Sequence, residues 1–169
     1  VFPVDRGSIL INGNEVTKLP EHARAKFIGR VFQDPMLGTA AGMMIEENLA
    51  LAMRRGKKPG FSWALPNEQR DYFRKLLTEL DLGLENRLFA KVGLLSGGQR
   101  QALTLLMATM KKPKLLLLDE ATSGLDPIVR DDILDIFADF TRQEDHSILL
   151  SSHITSDLEK ICDHIAFIH

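Results

Sequence analysis

The stretch Leu95-Ser-Gly-Gly-Gln-Arg-Gln101, followed by Leu115-Leu-Leu-Leu-Asp-Glu-Ala-Thr-Ser-Gly-Leu-Asp126, sets two different physical devices one after the other. The second opens on a continuous apolar run, the pattern of a strand covered on both sides in a parallel sheet. Asp119 therefore emerges at the carboxyl end of a buried strand, where α/β sheets bind ligands. A carboxylate there can hold Mg²⁺, directly or through water, against phosphates. Glu120 points to the other side of the strand and can orient a water or take its proton. The first device reads as a helix start at Ser96-Gly97-Gly98-Gln99. Its unpaired N–H groups and positive dipole end attract phosphate, and two glycines let an anion approach the backbone.

Working outward, the chain alternates strand and helix signals at both ends around a helical middle. Ser8 to Ile11 reads as a short strand running into a tight turn at Asn12-Gly13. Pro20 suits the first position of a short helix through Phe27. Ile28 to Phe32 is a strand leading to Gln33. Ile45, Leu49 and Met53 mark one face of a helix over 42–55, and a Gly/Pro/Lys-rich loop follows. Asn67 is a capping residue for a helix whose Phe73, Leu76, Leu77 and Leu80 share a face. The helix from Ser96 to about Met110 carries Leu103, Leu106, Met107 and Met110. Pro127 begins another, with Val129, Ile133, Ile136, Phe137 and Phe140 inward. Ser147 to Ser151 and Ile165 to Ile168 read as two further buried strands. The pattern predicts an α/β core, mainly parallel, with a helical insertion.

Composition narrows the rest. At 169 residues the chain can form one domain that buries roughly two-thirds of its unfolded surface. A net charge of -2 gives no reason to expect a nucleic-acid partner. The single cysteine, Cys162, excludes an internal disulfide and a multi-cysteine metal site, and its apolar neighbours predict a small core residue. No apolar run approaches the ~20 residues of a membrane span.

Five motifs in order identify a resemblance. Leu95 to Gln101 resembles the signature motif of the ATP-binding cassette (ABC) ATPases. Leu115 to Glu120 resembles the Walker B strand with its catalytic glutamate, and Ser123-Gly124-Leu125-Asp126 the D-loop. Gln33 in Val31-Phe-Gln-Asp-Pro35 resembles the Q-loop, and His153 in Ser151-Ser-His153 the switch histidine. The resemblance implies a P-loop NTPase (RecA-like) core over 1–42 and 113–169, with an inserted helical subdomain over 43–112. It implies ATP and Mg²⁺ as ligands. Glu120, His153 and Gln33 would be catalytic, with Asp119 and Gln33 on the metal. Ser96, Gly97, Gly98 and Gln99 would close on ATP held by a second subunit in a head-to-tail dimer, with residues 123–126 at the junction. Transmembrane permease subunits, and possibly a substrate-binding protein, would be the other partners. Such a subunit sits in the cytoplasm, at the inner face of the membrane.

The chain departs from that family in one respect. No Gly-x₄-Gly-Lys-[Ser/Thr] occurs; at the one Gly-Lys pair, Gly56-Lys57, Leu51 stands where the first glycine belongs and Lys58 where the hydroxyl belongs. The chain opens on Val1 and its first methionine is Met36, so the expectation is a fragment truncated after its phosphate-binding loop and inactive alone. Val31 to Ala40 and Lys91 to Met110 resemble importer ATPases. Ser123 to His169 looks more like exporter ATPases, and Ala121 replaces a common proline. An unusual subfamily or a junction near Walker B would account for this, and transport direction stays open. A soluble translation factor, a DNA-repair ATPase and a non-hydrolysing nucleotide-binding module are the alternatives. The short separation of Gln33 from Ser96, without heptads, disfavours the coiled-coil DNA-repair class.

Overall fold

The computed structural model describes residues 4, 6–56, 65–120, 127–142, 145–152 and 155–166. A small antiparallel hairpin, β1 (Leu10–Ile11) and β2 (Asn14–Glu15), turns at Asn12-Gly13, both at positive φ. Helix α1 (Glu21–Arg24) leads to β3 (Ile28–Val31). Helices α2 (Ile45–Arg54), α3 (Asn67–Thr78) and α4 (Gly97–Thr109) follow, with 3₁₀ turns at Leu84–Asn86 and Val92–Leu94. The chain then returns through β4 (Leu115–Asp119), α5 (Pro127–Thr141), β5 (Ser147–Ser151) and α6 (Thr155–Ile161).

The expected α/β architecture is present. Strands β3, β4 and β5 form one parallel sheet in that order, with Val31 opposite Leu118 and Asp119 opposite Ser151. One face buries Val31, Leu116 and Leu118 against Leu105 and Ala108 of α4 and Ile133, Leu134, Phe137 and Phe140 of α5. Since side chains alternate along a strand, the neighbouring set Arg30, Leu117 and Leu149 lines the other face. Sequence predicted burial on both sides, but Leu149 is 64% exposed and Leu115 and Leu117 are only half-buried. The physical reason is that both helices packed on this sheet, α4 and α5, cover the same face.

A second apolar cluster lies among the middle helices. Ile45, Leu49, Phe73, Leu77, Leu84, Leu88, Val92, Leu95, Leu103 and Leu106 are all buried there. Helix α4 serves both clusters: Leu103 and Leu106 face the helices, while Leu105 and Ala108 face the sheet. It can lie close on β3 because Gly29 has no side chain; a Cβ there would meet the Ala108 carbonyl oxygen at 2.8 Å. Beneath α3, the buried Glu46 receives a two-pronged bond from Arg70, Nε to Oε2 at 2.7 Å and Nη2 to Oε1 at 3.2 Å. Pairing of this kind is what allows a carboxylate to be buried at all.

Several local expectations shift. Pro20 stands at the N-cap of α1 and not inside the helix. Pro66 takes the N-cap of α3, because its fixed φ presets an extended entry, so Asn67 becomes the first helical residue. Helix α2 starts at Ile45, later than predicted, because the Asn48 side chain holds the preceding turn: it accepts from Ala40 N–H and donates to the Ala40 and Met44 carbonyls. Residues 164–166 are not a strand: the nearest strand, β5, pairs only with β4 among the described residues, and Ile165 is 43% exposed. Residues 167–169 lie outside the described part. Cys162 is half-buried, just past α6, and not a core residue. Burial, and then the Asp163 carboxylate, push its thiol pKa up, away from reactive thiolate.

Where β4 begins, Lys114 forms an ion pair with Asp145, just ahead of β5. The Lys114 hydrogen bond holds the Asp145 carboxyl below its ordinary range. A carboxyl whose folded pKa is depressed stabilises the fold above its unfolded pKa, and that contribution is lost as pH falls through the folded value. Thermal melts should therefore show the wild-type Tm falling more steeply than that of Asp145→Asn as pH drops below about 4. Parallel curves for the two proteins would show that the pair contributes nothing.

Candidate functional site

The carboxyl edge of the parallel sheet gathers the chemistry. Register places Asp119, last residue of β4, beside Ser151, last residue of β5. The Ser151 hydroxyl donates to Asp119 Oδ1 at 2.8 Å. Glu120 follows at φ 43°, a left-handed conformation uncommon for a residue with a side chain. Its N–H donates to the Ser151 carbonyl at 2.9 Å. Two residues past β3, Gln33 reaches across and donates from Nε2 to Glu120 Oε2 at 2.5 Å. Residues 87 apart in sequence are thus joined because β3 and β4 are sheet neighbours. Asp119 and Gln33 are exposed and Glu120 half-buried, so the group faces solvent as a site must.

The second group is the start of α4. Ser96 is its N-cap, with the Gln99 N–H donating to Ser96 Oγ and the Ser96 N–H donating to Gln99 Oε1, both at 3.2 Å. This reciprocal box fixes the helix entry. It also employs the Gln99 amide locally, since Nε2 donates to the Leu82 carbonyl at 3.2 Å and Arg87 Nη1 approaches Oε1 at 3.5 Å. Gln99 is therefore a brace for this turn, while the backbone at Gly97 stays open: a Cβ there would meet nothing within 4 Å. No local packing demands glycine at 97, and what its bare backbone offers is room for something from outside.

Sequence reasoning passed over two residues. Ser151 stands in the sequence as the end of a strand and the first residue of Ser151-Ser-His153, with no role of its own. Arg100, inside the quoted motif, holds the preceding turn by donating to the Gly93 and Leu95 carbonyls at 3.2 and 3.1 Å, with Nε at 3.4 Å from the Val92 carbonyl. Its place in an otherwise glycine-rich run was the available signal. Of the residues expected at the site, His153, Ser123, Gly124, Leu125 and Asp126 lie outside the described residues.

The donor set suits a hard divalent cation. Asp119 offers carboxylate oxygen, and Gln33, using its nitrogen toward Glu120, keeps its amide oxygen for another partner. Among the described residues no cluster of three or more His, Cys, Asp and Glu side chains could hold a metal alone. One or two protein oxygens, completed by phosphates and water, is how Mg²⁺ is usually bound.

A parallel sheet carrying adjacent acids at its carboxyl edge, with a capped, glycine-opened helix start, makes this an α/β protein of the kind that binds ligands at the ends of its strands. Within that class the chain belongs to the ABC transporter family, whose model matches residues 2–123. It is 35% identical over 163 residues to a tyrosine transport ATP-binding protein of Clostridioides difficile (strain R20291), a match covering 96% of this chain and 64% of the relative. It is 34% identical over 167 residues to the methionine import ATP-binding protein MetN of Escherichia coli O157:H7, covering 96% of this chain and 45% of that one. The chain thus spans less than two-thirds of each relative's length. Its fold is similar to the ATP-binding cassette MJ0796, solved as a dimer in a post-hydrolysis state bound to ADP and Pi, with a TM-score of 0.74 and 21% identity over 92% of this chain and 66% of that one.

Proposed function

We propose that this chain supplies catalytic parts of the ATP-hydrolysing subunit of a membrane transporter. The observation that carries the proposal is the linked set Gln33, Glu120 and Asp119 at the carboxyl edge of the sheet, in a chain of this family. Glu120 orients the attacking water and accepts its proton, while Gln33 restrains the carboxylate that does so. Asp119 and the Gln33 amide oxygen would hold Mg²⁺, which would supply positive charge against that developing on the phosphates. Ser96, Gly97 and Gly98 present the start of α4 to the γ-phosphate of ATP held by a second subunit. Gln99 keeps that helix start in shape. Residues 123–126 and His153 take their junction and γ-phosphate roles on the strength of the family pattern alone.

In this reading, residues 1–42 and 113–169 form the catalytic core and 43–112 the helical subdomain that meets the permease. The subunit works at the cytoplasmic face of the membrane; among the described residues no helix is long and apolar enough to cross it. The relative named for methionine import favours import over export. The solute is selected by the permease and any substrate-binding protein.

Two preparations test the proposal. The 169 residues contain no phosphate-binding loop, so on their own they should bind ATP weakly and hydrolyse none above background. The full-length protein, assembled with its permease in lipid, should show Mg²⁺-dependent ATP turnover. Absence of both ATP binding and turnover in the full-length assembly would sink the proposal. Vigorous turnover by the 169 residues alone would show that they grip ATP without a Gly-x₄-Gly-Lys-[Ser/Thr] loop.

A further inference from the structure

We infer that Ser151 is a positioning residue for the ATPase reaction, holding the Asp119 carboxylate in the orientation that receives Mg²⁺. The inference rests on the ATPase reading above and adds to it a residue to which the five motifs give no role. Because β4 and β5 are parallel and in register, the side chains of Asp119 and Ser151 leave the sheet side by side on one face. An ionised carboxylate only accepts hydrogen bonds, so the 2.8 Å contact has the serine hydroxyl as donor to Oδ1.

That bond matters because the terminal torsion of an aspartate is broad and roughly two-fold. With Oδ1 held from the neighbouring strand, the carboxylate plane is fixed and the second oxygen keeps one direction. The same residue steadies the adjacent acid, since the Ser151 carbonyl accepts the Glu120 N–H at 2.9 Å. Glu120 sits at φ 43°, a conformation that persists only where neighbours enforce it. One residue of β5 thus ties down both acids, Glu120 through its backbone and Asp119 through its side chain. Packing gives no competing reason for serine here. Position 151 is exposed, and strands favour β-branched residues over serine.

The test uses the full-length protein and three side chains at one position. Ser151→Val keeps a strand-compatible shape without the hydroxyl; Ser151→Thr keeps both. Removing a hydrogen-bond partner that orients a metal ligand typically weakens metal binding or activity by about 10–100-fold. Ser151→Val should therefore raise the Mg²⁺ concentration for half-maximal turnover by about tenfold or more, with Tm and metal-free nucleotide binding unchanged. Ser151→Thr should restore it. A wild-type Mg²⁺ titration in Ser151→Val, with turnover intact, would overturn the role of Ser151 and leave the ATPase reading standing. Equal impairment in Val and Thr variants would overturn it too, because the defect would then be steric. Absence of Mg²⁺-dependent ATP binding and turnover in the wild-type protein would remove the ATPase reading itself. If Ser151→Val fails to fold, Ser151→Ala at this exposed position provides the same comparison.

Discussion

Glu120→Gln in the full-length protein should lower ATP turnover by about 10²–10⁴-fold, the usual contribution of a positioned general base, while nucleotide binding and Tm stay near wild type. The substitution isolates basicity. Glutamine has the length of glutamate, and its side-chain oxygen can still accept from Gln33 Nε2, so the link across the sheet edge survives. Neither residue is glycine, so the φ of 43° is equally unfavourable for both and no backbone strain is released. Glu120 is half-exposed, which keeps the stability effect of losing its charge small. A fluorescent nucleotide titration alongside steady-state turnover separates the two quantities. Full turnover in Glu120→Gln would show that another group activates the water, and the assignment of Glu120 would fail.

Gly29→Ala is the largest stability effect expected. The added methyl would lie 2.8 Å from the Ala108 carbonyl oxygen, 2.8 Å from Leu116 Cδ1 and 3.0 Å from Pro113 Cγ. A flexible side chain can swing aside, but the Ala108 carbonyl is part of the packed end of α4 and cannot. Overpacking a closed interior costs about 1–3 kcal/mol, occasionally more, and a backbone clash belongs at the upper end. For a chain of this size about 3 kcal/mol lowers Tm by roughly 6–12 °C. Gly97→Ala is the matched control: the same added methyl meets nothing within 4 Å, and alanine favours helix over glycine. It should leave Tm unchanged or slightly raised, yet slow ATP turnover if this helix start closes on phosphate. A Gly29→Ala protein as stable as wild type would mean that α4 lies farther from β3 than described.

Much of this was legible before any coordinates. Four leucines ending in two acids marked β4 and its carboxyl end, although the burial on both faces that such a run predicts is met on one face only. Ser96 and the two glycines after it mark the start of α4, and Phe73, Leu77, Leu103 and Leu106 fall where a helical period puts them. Features set by tertiary neighbours were not legible. Asn67 and Pro66 are both plausible helix entries, and the choice depends on how the chain arrives. The apolar 165–168 run reads as a strand, but a strand needs a partner edge, and sequence shows no edges. At the site, the acids were visible as a motif, whereas Ser151 acts only because sheet register sets it opposite Asp119. The tie from Gln33 to Glu120 joins residues 87 positions apart, a separation that no local pattern reports.

Helix α4 has one further mechanical consequence. Its thirteen residues span about 20 Å at 1.5 Å per residue. It is gripped on one flank by the helical cluster and on the other by the sheet, and near its far end the Ala108 carbonyl also receives Arg55 Nη2 at 3.0 Å. Close-packed interiors transmit displacement because they compress so little. A rod held this way has little slack along its shaft, so a push on the glycines at one end is carried to β3, the strand that leads to Gln33, and is not absorbed as local bending.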